Sequence, residues 1–578
     1  MENLKYTEIL QLNKSLAGTI ETKPYRIGIL SNVTINSIKE ILEYNCRIHQ
    51  VEPLVEIGNF DNIVQDSAQS SDKDLVIIFY EVLSIIEGLG IVFDDISDEA
   101  FEALQQKLFT EIDMIIANLQ NTPALIFNLF SAASFTQNYT IDTKVDQLVQ
   151  NLNQHLCKKE SSNLTLINTD KIIGQLGIKQ AIDFRFYYSS KAPYTVSFFK
   201  EYVLALQPVI LRNNGKLKKA LIFDCDNTLW KGILGEDGLE EIDFSKDSKQ
   251  GKFYYSVQQL AAYYSKLGIV IGLCSKNNPE DVEEVLHQKE MALNNDSIVI
   301  KKVNWQDKAT NLRILAQELN IGTDSLVFVD DSPFEINLIK EQLPEILTLQ
   351  VPANISDYPT QLQKLVQGYF NLTLNKEDLA KTEMYKQQSE RESVKQTFAT
   401  IDDYLASLEI VLSISENDKS QIPRIAQLTQ KTNQFNLTTQ RYTEQHIEQF
   451  MNNPQDTVFS LSVKDKFGDS GLTGMCIALR DVNETNTAIV DTLLMSCRII
   501  GRNIEYVFFN QIVRSLREKG FEKIKANFKP TKKNDQVATF YEQLGMKLQR
   551  EDEDGTKKHY YITISEIQPK VFDYIRLE

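Results

Sequence analysis

The sequence predicts a multidomain α/β protein with a parallel sheet at its centre, and three observations predict it. At 578 residues the chain exceeds what one hydrophobic core organises. Between residues 216 and 352, short continuous apolar runs alternate with amphipathic stretches of helical period, the pattern of a parallel sheet covered on both faces. Strand and helix signals are mixed before this segment, and longer strands return after it around one long helix. The expected parts are an α/β domain at 1–215, the β/α domain at 216–352, a charged helical connector at 353–400 and an α+β domain at 401–578.

In chain order, YRIGILSNVTI reads as a buried strand ending in a turn, and KDLVIIFYEVL and TPALIFNLF are further apolar runs. The polar LRNNGKLKK at 211–219 reads as a domain junction. Then come a strand in KALIFDCD, a helix in GKFYYSVQQLAAYYSKLG and a strand in IVIGLCS. The helix PEDVEEVLHQKE, with Pro279 early, is followed by the strand SIVIKKV, the helix QDKATNLRILAQELNIG, the strand DSLVFVDD and the helix PFEINLIKEQL. After the connector, strands are expected in TVFSLSV, GLTGMCIALRD and TAIVDTLLMS. The helix EYVFFNQIVRSLREKG, the strand KIKANF and the helix NDQVATFYEQLG close the order.

The bulk numbers exclude several classes. A hydrophobic share of 42% and a charged share of 24% are those of soluble globular protein. No run approaches the roughly 20 apolar residues of a membrane span, and MENLKYTEIL has no signal-peptide core, so a cytoplasmic protein is expected. Six scattered cysteines without CxxC pairs read as reduced thiols. A net charge of −18 argues against nucleic acid as a partner. The five histidines form no HExxH or zinc-finger spacing.

Ligands of a parallel sheet sit beyond the carboxyl ends of its strands. Asp224 and Asp226 follow the first strand of the β/α domain, Ser275 the second, and Asp330 with Asp331 the fourth; Lys308 opens the helix after VNWQD at the same edge. Carboxylates, a hydroxyl and an ammonium at one rim suit a hard cation, Mg²⁺, together with a phosphoryl group. A carboxylate also serves as a nucleophile on phosphorus. The expected assignment makes Asp224 the nucleophile and Asp226 the general acid and base. Ser275, Lys308, Asn227 and Thr228 hold the phosphate, and Asp224, Asp226, Asp330 and Asp331 hold the metal.

DCDNT, CSKN, WQDK and FVDDSPFE, in this order and spacing, resemble the four motifs of the haloacid-dehalogenase (HAD) phosphatase superfamily. The longer DCDNTLWKGILGEDG and LCSKNNPEDV resemble its FkbH-like subfamily, HAD proteins of polyketide biosynthesis. The resemblance implies a Rossmannoid HAD-like domain at the centre. Both tryptophans, Trp230 and Trp305, stand beside these motifs, as core aromatics on the plainest reading. About 48 residues separate Asp226 from Ser275 and about 32 separate Ser275 from Lys308, which leaves no room for the large cap domains of that superfamily.

In the last part, CRIIGRNIE lies between a strand and a long amphipathic helix. A glycine at such a boundary exposes backbone N–H groups to phosphate oxygens, and KIKANFKPTKKN adds five lysines in eleven residues of an acidic chain. The pattern resembles the R/QxxGxG/A turn of GNAT-type acyltransferases, departing at Asn503; Asn534, Tyr541 and Gly545 fit that family's later N…FYxxxGF pattern. The resemblance implies that Arg498, Gly501 and Arg502 bind an acyl-carrying pantetheine arm between splayed strands. Cys497, next to Arg498 and close to a helix start, is the expected acyl-thioester nucleophile. Cys225 lies between two aspartates, and Cys274 lies in an apolar strand. FkbH-like chains often open with an SGNH-hydrolase-like region; Ser31 stands where that nucleophile would, but no DxxH supplies a base, so it reads as a turn residue of a non-catalytic domain.

Together the resemblances imply a glyceryltransferase and phosphatase. It takes D-1,3-bisphosphoglycerate, removes phosphate at a magnesium site and loads a glyceryl unit onto an acyl carrier protein. The alternatives are a magnesium-dependent HAD phosphatase of another phosphate ester, or a non-enzymatic biosynthetic scaffold.

Overall fold

The protein is a mixed α/β molecule of several sheets, seen in a computed structural model that describes all residues except 2–3, 87–91, 134–140, 160, 162, 289, 373–380, 396–397, 399, 532 and 553–554. The start of the expected connector helix and Lys532 of the lysine strip lie outside the described residues. Two compact units form: Met1–Asn214 with Arg441–Gln449, and Gly215–Gln440 with Phe450–Glu578. Among the described residues no helix is long and apolar enough to cross a membrane.

The first unit is built on five parallel strands, β1 (Tyr25–Ser31), β2 (Pro53–Ile57), β3 (Leu75–Phe79), β4 (Leu125–Leu129) and β5 (Leu164–Asn168), in the order β2-β1-β3-β4-β5. β3 reads LVIIF and is buried throughout, as a strand covered on both faces must be. Phe79 packs edge-on against Tyr194 and Tyr202, with ring centroids 5.4 and 5.2 Å away. Ser31 closes a turn: its hydroxyl donates to the Val33 carbonyl at 2.9 Å and accepts from the Val33 N–H at 3.1 Å.

Just past β3, Glu81 is 2% exposed, and burial pushes its carboxyl up to about 8, against a hydrogen bond from Tyr194. Its Oε1 has no hydrogen-bond partner among the described residues. A carboxyl raised in the folded state holds its proton more tightly there than in the unfolded chain. Its contribution is therefore complete below the ordinary carboxylate range and is lost as pH rises toward about 8. Unfolding of the wild type is expected to become easier across that window, by up to about 1.4 kcal/mol per pH unit. Glu81→Gln should flatten this slope, as denaturant titrations between pH 5 and about 8.5 will show.

The second unit carries two sheets. The central one is parallel: β6 (Ala220–Phe223), β7 (Val270–Ser275), β8 (Ile300–Val303), β9 (Leu326–Asp330) and β10 (Leu347–Gln350), ordered β10-β9-β6-β7-β8. β10 is a fifth strand beyond the four expected. The first expected helix after β6 spans Gly251–Lys266, and those after β7, β8 and β9 span Pro279–Leu286, Lys308–Glu318 and Pro333–Gln342. Residues expected to open a connector instead complete this layer: the helix Tyr358–Tyr369 buries Tyr358, Leu362 and Val366 fully. Nor is the helix Lys381–Lys395 a free linker, since Tyr385, Gln388 and Arg391 are buried. The connection 224–250 holds only the four-residue helix Leu234–Asp237, so no cap domain covers the strand ends from there.

The second sheet contains β11 (Ile410–Glu416), β12 (Phe435–Asn436), β13 (Thr457–Asp465), β14 (Gly468–Arg480), β15 (Thr487–Met495), β16 (Lys523–Phe528), β17 (Lys547–Glu551), β18 (Lys558–Thr563) and β19 (Ile575–Leu577). Its path is β17-β18-β16-β15-β14-β13-β11-β19, with β12 paired to β15. The helix Ile504–Glu518 packs Phe508, Phe509, Ile512 and Leu516 against it. The expected helix in NDQVATFYEQLG reduces to a turn at Asp535–Val537 and the four residues Phe540–Gln543.

Candidate active site at the central sheet edge

Register brings the predicted carboxylates together. Phe223 pairs with Leu273 on one side and Val329 on the other, so Asp224, Ser275 and Asp330 emerge at one edge. Asp307 caps the helix that follows β8, accepting from the Thr310 N–H at 2.8 Å, and so sets Lys308 in the first turn. The Lys308 ammonium lies 2.9 Å from Asp224 Oδ1 and 2.6 Å from Asp330 Oδ2. Ser275, 2% exposed, hydrogen-bonds to Asp224.

One carboxylate oxygen from each of Asp224, Asp330 and Asp331 lies within 4.8 Å of the others. Three carboxylates share one ammonium, and the electrostatics register the excess. Burial, then the charge of Asp224, pushes Asp330 up to about 7, and the same two causes raise Asp331; burial raises Asp224 against the pull of Lys308. An all-oxygen, charge-rich donor set on rigid strand ends fits a hard divalent cation such as Mg²⁺.

Asp226 departs from the expected metal set. Its Oδ1 accepts from Trp230 Nε1 at 2.9 Å and from the Leu234 N–H at 3.0 Å, and its Oδ2 accepts from Asn277 Nδ2 at 2.9 Å. The carboxylate is therefore held to one side of the cluster of three. It remains linked to the site, because Asn277 Nδ2 also reaches Ser275 Oγ at 3.2 Å. Asn227 departs as well. It adopts a left-handed φ of 49°, and its Oδ1 accepts from the Gly232 N–H at 3.0 Å, which closes a turn instead of binding phosphate. Thr228 is fully buried, with a hydroxyl that has no partner among the described residues.

Sequence reasoning missed Trp230 and Asn277 as the groups that hold Asp226, although both lie inside the quoted motifs. Trp230 is indeed a fully buried core aromatic. Trp305 is not: it is 69% exposed, as is Phe334, on the loop and helix that follow β8 and β9. Cys225 and Cys274 are fully buried, and burial first of all raises both thiols well above the ordinary range.

In the C-terminal sheet, β15 and β16 pair only from Thr487 to Val490 and then diverge. The gap expected to take a pantetheine arm is filled by the chain itself. Phe435 and Asn436 pair with Met495 and Leu494, the Leu437 N–H donates to Leu493 O at 3.1 Å, and the Lys529 N–H donates to Leu437 O at 2.8 Å. Asn534 Nδ2 pins this plug through Asn436 O and Lys529 O, at 2.8 and 2.9 Å. Arg502 is also committed: its guanidinium meets Asp465 at 2.9 Å, Gln388 Oε1 at 3.1 Å and Arg498 O at 2.6 Å. That is a structural role in place of the expected pantetheine contact. Gly501, at φ 81°, shapes the turn before the long helix. Cys497 and Arg498 lie on the wall of a cavity of about 580 Å³ that Asn433 and Gln434, just before the plug, also line.

No protein-family model matches the sequence, and no curated protein matches it. Among solved structures, the chain is similar to the N-terminal part of BF1531 from Bacteroides fragilis, which contains a phosphatase domain and was crystallised complexed with Mg. The identity is 22% and the TM-score 0.56, over 64% of this chain and 100% of that one. At this identity the likeness is one of fold. Shorter matches include the ribosomal-protein-S18-alanine N-acetyltransferase of Escherichia coli, at 12% identity and a TM-score of 0.21 over 28% of this chain and 99% of that one. Mutant forms of the spermidine/spermine N-acetyltransferase SpeG of Vibrio cholerae match at 16% and 0.22, over 27% and 95%.

Proposed function

We propose that the protein is a magnesium-dependent HAD-type phosphatase coupled to acyl transfer, which takes D-1,3-bisphosphoglycerate and loads a glyceryl unit onto an acyl carrier protein. The observation that carries the phosphatase half is the convergence of Asp224, Asp330 and Asp331, with the Lys308 ammonium on the first two. Asp224, Asp330 and Asp331 would hold a magnesium ion, which would supply positive charge against the phosphoryl oxygens. Asp224 attacks phosphorus, the P–O bond to the sugar-acid oxygen breaks, and an aspartyl-phosphate forms. Asp226 protonates the departing oxygen and then takes a proton from the water that hydrolyses the intermediate. Lys308, Ser275 and Thr228 hold the phosphoryl oxygens.

For acyl capture, Cys497 is favoured over Cys225 and Cys274 because it alone of the three is not buried. Its thiolate attacks the carbonyl carbon of the acyl phosphate; the C–S bond forms, the C–O bond breaks and inorganic phosphate leaves. The carrier's pantetheine thiol then takes the acyl group. The test is intact mass of a carrier protein incubated with the enzyme, Mg²⁺ and the bisphosphoglycerate. Glyceryl mass on the carrier is expected with wild type, and no acyl mass with Cys497→Ala. A carrier that gains nothing from wild type, while simple phosphate esters are hydrolysed, favours a second reading supported by the Phe435–Leu437 plug: a phosphatase acting on another phosphate ester.

A further inference from the structure

The cavity beside Cys497 lies at the edge of the central sheet opposite the carboxylates. Lys219, Ile269 and Ser325, which precede β6, β7 and β9, line one side; Arg424, Lys431 and Cys497 line the other. Seven basic residues face it and one acidic residue, Asp324, in a chain of net charge −18. Such an inversion of charge in a concave space is the footprint of an anionic ligand.

Two further observations identify the ligand's place. Lys219, partly buried, lines the cavity beside Cys497, Tyr385 and Asp324. Burial works against its charge, but the neighbouring Cys497, Tyr385 and Asp324 outweigh it and hold its pKa above the ordinary lysine value. Second, the wall is anchored: Asn320 donates to the Cys497 carbonyl, and Lys533 joins Asp324 Oδ2 and Gly215 O at 2.7 and 2.9 Å. Asp324 is thus shared between Lys533 and Lys219, and Lys219 lines the space next to Arg498, whose Nε donates to Ser496 Oγ at 3.2 Å.

We propose that this cavity is a second phosphate site, in which Lys219 and Arg498 hold the phosphate of the ligand that meets the Cys497 thiol. The proposal rests on the reading of Cys497 as the reacting thiol. Lys219 and Asp224 bracket the four residues of β6, so the two sites stand roughly 16 Å apart at a strand rise of about 3.3 Å per residue. Thiol capture and phosphate-ester hydrolysis then occur at opposite ends of one strand, and a substrate held at Cys497 is out of reach of Asp224. The shared chemistry is a phosphate monoanion or dianion, from either an acyl phosphate or the phosphopantetheine of a carrier.

The test is alkylation of the full-length protein by iodoacetamide, followed peptide by peptide, with exposed Cys157 as internal control. Millimolar inorganic phosphate is expected to slow modification of Cys497 about fivefold or more, as a charge-assisted contact would, and to leave Cys157 unchanged. Lys219→Met should abolish this protection and Lys219→Arg should restore most of it. Arms with acetyl phosphate and with 4′-phosphopantetheine separate an acyl donor from a carrier arm; protection by either supports the site. Protection by none of the probes, or undiminished protection in Lys219→Met, overturns it. Magnesium-dependent phosphate release by wild type, measured on the same preparation, reports on the proposed function separately. Its absence leaves the protection result standing, and loss of protection leaves hydrolysis at Asp224 standing.

Discussion

Asp224→Asn is expected to yield a folded protein that no longer releases phosphate, with activity down by roughly three orders of magnitude or more, since the proposed nucleophile is removed. The substitution keeps the side-chain volume at a site 5% exposed. It removes one of three carboxylates that repel one another, so folding without metal is expected to be at least as stable as in wild type. What disappears is linkage: Mg²⁺ should raise the melting temperature of wild type as a ligand of the native state does, and should leave that of Asp224→Asn nearly unchanged. Carrier protein incubated with this variant is expected to accumulate phosphoglyceryl adducts, because the proposed capture at Cys497 lies at the other end of β6. Intact mass together with scanning fluorimetry checks both halves. Residual hydrolysis near the wild-type level would assign the chemistry elsewhere.

The second large effect is structural. The side chain of Asp465 is fully buried and accepts from Arg391 Nε and Nη2, both at 2.9 Å, and from Arg502 Nη1 at 2.9 Å. The same carboxylate receives the Phe467 and Gly468 N–H groups at 2.9 and 3.2 Å. Asp465→Ala strips the counter-charge from two buried guanidinium groups at once. Breaking a buried pair by removing one partner costs about 3–5 kcal/mol, and here two cations lose theirs, so the second unit is expected to unfold at markedly lower denaturant. The double replacement Asp465→Ala with Arg391→Met should recover part of the loss, because one uncompensated charge goes with it. Equal stability of Asp465→Ala and wild type by chemical denaturation would contradict the ion-pair account.

These two sites also mark what the sequence made legible. The carboxylate rim was readable because a parallel sheet constrains it: an apolar run ending in Asp, Ser or Asp-Asp delivers those residues to one edge whatever the loops do. The direction of Asp226 was not readable, because it is decided by donors from Trp230, Leu234 and Asn277, none of which strand logic orders. Asn227 likewise follows from a left-handed backbone angle that one sequence does not announce. The Arg391–Asp465–Arg502 knot joins residues 74 and 37 positions apart, beyond any periodic signal. The plug at Phe435–Leu437 contributes only two paired residues, too few for an alternation to reveal. The splayed gap followed from resemblance, whereas what fills it followed only from the fold.

The central claim is that a divalent cation binds where Asp224, Asp330 and Asp331 converge. Diffraction at the manganese absorption edge, from crystals grown with Mn²⁺ in place of Mg²⁺, tests it most directly. One anomalous peak about 2.1–2.3 Å from an oxygen of Asp224 and one of Asp330 is predicted, with the Asp226 carboxylate still on Trp230 and Asn277. A peak at any other cluster, or none at this edge with the metal in excess, contradicts the account.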